Sequence, residues 1–305
     1  MKSFLTRTVI IGFLLSISLL IVYSAVDFFG FSDFAYKRVV SKEDGSLIVG
    51  TSRAAQALQP AIMNPILSEF NYLPVYNFAF TITDSPFGEV YFSAISKKLD
   101  SYLTTSSARL FVVCVDPFSL SSIEELDEKG LRDEKGILSG IPGFSKPNYY
   151  YLVKNFKPKE WAEMRTYECL HDDGWLEILV DSTTIGRNKQ ERLALYRNYT
   201  VCPSQERIAW LVRTIEFLRD KGVVFLCRLS TCSEMNEIED GIWPGFDIDM
   251  KAVADRFDIK YISFFNDFDK YRTIDGNHIY REDGKLISMA LCDSILRTGP
   301  SLQFL

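Results

Sequence analysis

The sequence predicts an α/β fold: a three-layer α/β/α sandwich around a five-stranded, mainly parallel sheet, with an N-terminal transmembrane helix and a helical insertion. Short apolar runs alternate with segments of helical periodicity along the chain. The apolar runs are continuous, which is typical of parallel strands that helices cover on both faces. A hydrophobic share of 47% in 305 residues is ample for one packed core.

The chain begins with an apolar run that predicts a membrane anchor. Residues 8–26 carry no charge, and at 1.5 Å per residue they nearly span a hydrocarbon core of about 30 Å. Lys2 and Arg7 precede the run, which favours a cytoplasmic N-terminus at 1–7 and an exported domain at 27–305. The alternative is a cleaved signal peptide, but the length of the run favours an uncleaved anchor in contact with the lipid bilayer.

The apolar runs and the periodic segments between them predict the elements of the exported domain. The strands are predicted at Ser46–Gly50, Val75–Phe80, Leu110–Val115, Val223–Leu226 and Tyr261–Phe265. Helical segments are predicted at 53–70, with interruptions at Pro60 and Pro65, and at 84–102, 204–222, 246–257 and 285–296. Ser204 is suited to cap its helix, and Gly222 to end it.

The third and fourth strands are separated by an insertion at about 121–203, which is too long for a plain crossover. We expect an inserted helical cap near one edge of the sheet. Within it, His171 precedes two aspartates, but a metal site needs further ligands, so a solvated turn is the preferred interpretation. The aromatic stretch at 147–151 favours packing of a helix over binding of a sugar.

Composition excludes several classes of protein and site. A net charge of −6 argues against a general nucleic-acid binder, which needs a basic face. Two histidines and the absence of a Cys-x-x-Cys motif predict no metal site, and we expect no cofactor. Export permits disulfides, and a pair among Cys169, Cys202 and Cys232 is compatible with their polar surroundings.

Sites in open α/β sheets form at the carboxyl ends of the strands. Ser52 directly follows the first strand and precedes a helix, which exposes its hydroxyl. Asp275 and His278 stand three apart in a loop before the last helix. The carboxylate can hold one ring nitrogen while the other accepts the serine proton. Each motif alone is common in caps and turns, and their combination predicts a Ser-His-Asp triad.

Five further residues near strand ends are candidates for oxyanion or substrate contacts. They are Arg53, Asn77, Thr81, Asp116 and Arg228. Arg228 ends the fourth strand, where it either holds an anionic group of a substrate or pairs with Asp116 across adjacent strand ends.

Four segments resemble the SGNH/GDSL hydrolase superfamily. They read LIVGTSRAAQALQP at 47–60, YNFAFT at 76–81, VVCVDPFSL at 112–120 and DGNH at 275–278. The resemblance covers most of the exported part except the insertion. It is to a divergent membrane-anchored branch that includes the D-alanyl transfer protein of teichoic-acid synthesis. It implies a flavodoxin-like sandwich, with Ser52 as the nucleophile and with Asp275 and His278 completing the triad.

The sequence departs from that superfamily in two places. The usual Gly-Asp-Ser is Gly-Thr-Ser here, and Val115–Pro117 replaces a block whose asparagine helps form the oxyanion hole. Loss of one oxyanion donor typically costs about 10²–10³ in rate. Arg53, Asn77 or backbone N–H groups near Thr81 are candidate substitutes.

The resemblance leaves two functions open. The first is an acyl esterase or acyltransferase that acts on a cell-envelope glycan or lipid. Such an enzyme would be a single-pass protein of the bacterial inner membrane, with its N-terminus inside and its main domain periplasmic or extracellular. Its partners would be an envelope polysaccharide or an acyl-donor membrane protein. The alternative is a catalytically inactive binding or assembly protein of the envelope on the same fold.

Overall fold

The computed structural model describes residues 2–28, 38, 45–99, 108–126 and 167–298. The N-terminal helix and the α/β domain belong to separate units. Helix α1 spans Lys2–Phe28. Its segment Lys2–Val22 is exposed, and it is the one helix of the described residues long and apolar enough to cross a membrane. The predicted apolar helix is therefore confirmed, and it fits either a single-pass anchor or a signal sequence.

The α/β domain alternates strands with helices. Its elements in chain order are β1 (Ser46–Val49), α2 (Ser52–Ala57), α3 (Pro60–Ser68), β2 (Val75–Asn77), α4 (Glu89–Lys98), β3 (Leu110–Cys114), β4 (Ser121–Ile123), β5 (Glu168–Leu170), β6 (Leu176–Ile178), α5 (Lys189–Asn198), β7 (Val201–Pro203), α6 (Gln205–Arg219), β8 (Val223–Arg228), α7 (Ser233–Ile242), α8 (Phe246–Arg256), β9 (Lys260–Ser263) and α9 (Arg281–Thr298). Helix α9 packs on α2 and α3, while α4 packs on α6.

Five strands form one parallel sheet in the order β2-β1-β3-β8-β9, which confirms the predicted parallel sheet. Every residue of β1 and β3 is buried, so both faces of the sheet centre are covered. The strand order reverses between β1 and β3, and the crevice at such a switch point is where doubly wound sheets bind ligands. The topology therefore directs attention to the carboxyl ends of these two strands.

Some element boundaries agree with the prediction and others differ for local reasons. The segment 53–70 divides into two helices at Pro60 as expected, because Pro60 occupies the first turn of α3, where its missing N–H is unneeded. The interruption predicted at Pro65 is wrong, since Pro65 lies inside α3. Ser204 caps α6 as expected, with its hydroxyl accepting from the Arg207 backbone N–H at 3.3 Å. Strand β8 continues beyond its predicted end to Arg228. The Arg228 side chain is buried and forms ion pairs that the local sequence does not reveal.

The insertion is less helical than expected in its described part. Strand β4 pairs antiparallel with β7, β5 pairs antiparallel with β6, and α5 is its one α-helix within the described residues. Residues 127–166, including the aromatic stretch at 147–151, lie outside the described residues. All six cysteines of the chain are free thiols, so the pairing considered for Cys169, Cys202 and Cys232 does not form.

Candidate functional site

A continuous hydrogen-bond chain joins Ser52, His278 and Asp275. Ser52 Oγ lies 2.8 Å from His278 Nε2, although the two residues are 226 positions apart in sequence. His278 Nδ1 lies 2.9 Å from Asp275 Oδ2 and 3.2 Å from Oδ1. Ser52 is the first residue of α2, next to the carboxyl end of β1, and the loop before α9 carries the other two residues.

The Asp275–His278 loop folds around the Asp275 carboxylate. Asp275 Oδ1 accepts the backbone N–H groups of Asn277 at 3.1 Å and His278 at 2.9 Å. Gly276, between Asp275 and Asn277, has φ +86°, a left-handed conformation that glycine adopts without steric cost. Arg192 of α5 donates its Nε–H to Asp275 Oδ2 at 2.9 Å. The carboxylate therefore orients both the loop backbone and the imidazole.

The charge of Asp275 is stabilised within the site. Burial opposes ionisation, but the interactions with His278 and the charge of Arg192 outweigh it and hold the pKa of Asp275 well below its ordinary value. An ionised Asp275 accepts from His278 Nδ1–H, which leaves the Nε2 lone pair facing the Ser52 hydroxyl. This tautomer is the one in which the imidazole acts as a general base towards serine.

The Asn277 side-chain amide also stands at the triad. Arg53 Nε donates to Asn277 Oδ1 at 2.8 Å, and because a guanidinium has no acceptor, this contact orients the amide. Asn277 Nδ2 donates to the Tyr196 hydroxyl at 3.1 Å and lies 3.3 Å from His278 Nε2. Burial raises the pKa of Tyr196 to about 12, so its hydroxyl stays neutral. Sequence reasoning missed Asn277, although an amide within an Asp-x-x-His loop was a visible signal.

Arg53 and Arg228 belong to a buried ion network rather than to an open substrate site. Glu239 bridges them, pairing with Arg53 Nη1 and, at 2.7 Å, with Arg228 Nη2. Arg228 also pairs with Asp247, and not with Asp116 as one interpretation of the sequence expected. Burial opposes both charges, but the carboxylates outweigh it and raise the pKa of each arginine. Both guanidiniums are engaged within the fold, and Arg53 orients Asn277.

Asn77 holds backbone groups together at the end of β2. Its side chain is fully buried. Its Nδ2 donates to the carbonyl oxygens of Ala54 at 2.9 Å and Leu58 at 2.8 Å, while Oδ1 accepts from Ala79 N–H at 3.1 Å. The structure thus gives Asn77 a structural role, tying β2 to α2.

Asp116 and Thr81 are likewise engaged in local contacts. Asp116 Oδ1 accepts from the Ser119 backbone N–H at 2.9 Å, and Oδ2 accepts from Thr51 Oγ1 at 3.4 Å. Thr81 is exposed, and its hydroxyl donates to Asp84 Oδ2 at 2.7 Å. Asp116 therefore contacts the residue that precedes Ser52, whereas the Thr81 hydroxyl bonds residues of its own turn.

One group of side chains in the described ranges could hold a metal, namely Cys169, His171 and Glu177, and it shares no residue with the triad.

In comparisons with known proteins, no family model and no curated protein matches this chain. The geometry at the carboxyl end of β1 is thus what bears on function.

Proposed function

We propose that this protein is a membrane-anchored serine esterase or acyltransferase of SGNH type. The observation that carries the proposal is the hydrogen-bond chain Ser52–His278–Asp275 at the switch point of the sheet. A nucleophile, a base within hydrogen-bond reach and a group that orients the base make up the constellation for acyl transfer.

In the proposed reaction, Ser52 Oγ attacks the ester carbonyl as His278 Nε2 takes its proton. The tetrahedral intermediate collapses when the bond to the leaving alkoxide breaks and His278 returns the proton to that oxygen. Water or an acceptor hydroxyl then attacks the acyl-serine in the same manner and regenerates Ser52. Hydrolysis and transfer therefore share one site and differ only in the second nucleophile.

We assign oxyanion stabilisation to the Ser52 backbone N–H and to the Asn277 side-chain amide. Ser52 Oγ and Asn277 Nδ2 lie 2.8 Å and 3.3 Å from the same atom, His278 Nε2, so the amide and the nucleophile share this ring nitrogen as a neighbour. The amide would substitute for the asparagine that the third block lacks, with Arg53 holding its orientation. Preorganisation of this kind requires no movement of dipoles during the reaction.

The N-terminal helix supports a position at the bacterial inner membrane, with the N-terminus inside and the α/β domain on the periplasmic or extracellular side. An enzyme held there meets envelope lipids and glycans. We therefore propose an acyl ester of such a glycan or lipid as the substrate, and an envelope polysaccharide or an acyl-donor membrane protein as the partner.

Labelling with a serine-reactive fluorophosphonate tests the nucleophile. The full chain in detergent should be labelled once, at Ser52, and Ser52→Ala should abolish labelling. Ser233→Ala is the matched control, because Ser233 begins α7 as Ser52 begins α2, yet its hydroxyl bonds Glu234 rather than a histidine. Labelling that persists in Ser52→Ala would refute the assignment.

A second function, an inactive binding or assembly protein on the same fold, is favoured by one observation. Val115–Pro117 replaces the block whose asparagine helps form the oxyanion hole in the superfamily that the sequence resembles, and the Asp116 carboxylate is engaged by Ser119 and Thr51. This function predicts a folded wild-type chain that neither reacts with the fluorophosphonate nor turns over acyl esters. It also predicts that His278→Ala has no phenotype in cells.

A further inference from the structure

The β5–β6 hairpin presents three metal-ligating side chains on one of its faces. Cys169 and Glu177 are direct cross-strand partners in the antiparallel register. His171 lies two residues after Cys169, and side chains two apart in an extended segment point to the same side. Cys169 is already close to His171 in the sequence, and the strand pairing adds Glu177 from the neighbouring strand.

The donor atoms are close enough to share one ion. The Cys169 sulfur, a His171 nitrogen and a Glu177 carboxylate oxygen lie within 4.8 Å of one another. Ligand bonds of about 2.0–2.3 Å in a tetrahedral zinc site imply ligand separations of roughly 3.3–3.8 Å. His171 Nε2 and Glu177 Oε2 are 2.9 Å apart, so they need only separate slightly to admit a cation in place of the shared proton.

Neighbouring residues hold these ligands in position. Arg281 Nη1 donates to Glu177 Oε1 at 3.1 Å, which leaves Oε2 directed towards His171. The His171 ring stacks on Trp175 with centroids 4.5 Å apart, and Trp175 Nε1–H donates to the Gln56 carbonyl at 2.8 Å. Partners that orient ligating carboxylates and imidazoles are the usual supporting shell of a metal site.

Asp173 does not belong to the cluster. Its Oδ2 accepts from the Ala61 backbone N–H at 3.0 Å, and its Oδ1 accepts from Trp175 N–H at 3.1 Å. The first interaction fastens the hairpin to the start of α3, and the second closes the turn of the hairpin itself, so Asp173 has a structural use.

We propose that Cys169, His171 and Glu177 bind one divalent cation of the zinc class, with a fourth coordination position available to water. A thiolate, an imidazole and one carboxylate match the preference of zinc, whereas calcium and magnesium prefer all-oxygen sets. Binding through His171 Nε2 uses the neutral tautomer that carries its proton on Nδ1, and it releases the proton of the Cys169 thiol to solvent. The ion would fix the hairpin to α9 through Arg281, and the inference does not depend on the proposed enzymatic function.

Metal titration of the full chain in detergent tests this site. After chelation and buffer exchange, calorimetry with zinc chloride should give one ion per chain. Cobalt(II) should produce a thiolate-to-metal charge-transfer band. Cys169→Ser should abolish that band, and His171→Ala and Glu177→Gln should each weaken zinc binding by at least about tenfold.

Two matched variants control for nonspecific binding. Cys202→Ser removes an exposed thiol, and Glu168→Gln removes a hairpin carboxylate next to Cys169, outside the cluster. Both should bind zinc as the wild type does. Zinc should also protect Cys169, but not Cys202, from alkylation. No binding, a charge-transfer band that survives in Cys169→Ser, or equal losses in the control variants would overturn the proposal.

Discussion

Replacing Asp275 with asparagine removes the charge that organises the proposed triad while preserving its shape. An amide at this position can still accept backbone N–H groups through its oxygen, as Asp275 does from Asn277 and His278. Its NH₂ group, however, cannot accept from His278 Nδ1–H. The imidazole then favours the tautomer that carries its proton on Nε2, where it faces Ser52 and cannot act as a base.

The expected loss follows from that tautomer change. The equivalent substitution in serine proteases lowers kcat by about 10⁴, which corresponds to about 5.4 kcal/mol of transition-state stabilisation. We expect a loss of similar size here, because the 2.9 Å contact between His278 Nδ1 and Asp275 Oδ2 has the same role in the proposed mechanism. The assay is the second-order rate of fluorophosphonate labelling, measured beside circular dichroism to verify folding.

Arg192→Gln is the matched control for this experiment. Arg192 also contacts the Asp275 carboxylate, but its side chain is 41% exposed, so solvent screens the pair and its loss should change the labelling rate by less than about tenfold. Asp275→Asn within tenfold of the wild type would refute the mechanism. Equal losses of labelling rate in both variants would show that the ion pair between Arg192 and Asp275, rather than the tautomer of His278, determines the rate.

Three further outcomes concern stability. Asn77→Leu should lower the free energy of unfolding by about 3 kcal/mol or more in denaturant titrations, since it strands buried backbone carbonyls; a change below about 1 kcal/mol would contradict the structural role. Gly50→Ala should cost about 2 kcal/mol, seen as a lower melting temperature, because φ is +151° and an added Cβ would lie 2.8 Å from Cys114 Cβ; unchanged melting would argue against this packing. The depressed pKa of Asp275 contributes stability that is present above its unfolded pKa of about 3.9 and lost as pH falls towards the folded value. Asp275→Asn should therefore show a flatter acid dependence of unfolding, and parallel curves would contradict the linkage.

The sequence by itself determined the α/β class, the apolar N-terminal helix and the parallel sheet. These follow from local patterns: continuous apolar runs such as Leu110–Val115 must be covered on both faces, and such strands align in parallel between helices. The sequence also predicted that Ser52, Asp275 and His278 lie close together, because the carboxyl ends of parallel strands meet at one edge of the sheet. That rule holds without knowledge of any particular contact.

Only the tertiary structure decided what the other polar side chains do. The sequence predicted that Arg53 and Arg228 could contact a substrate. In the structure Glu239 of α7 pairs with both arginines, and no local sequence pattern indicates this partner. Glu177 became a neighbour of Cys169 and His171 only through strand pairing. A buried charge or a metal ligand is defined by what lies within a few ångströms, and long-range packing sets those distances, whereas sequence periodicity reports only which face of an element is apolar.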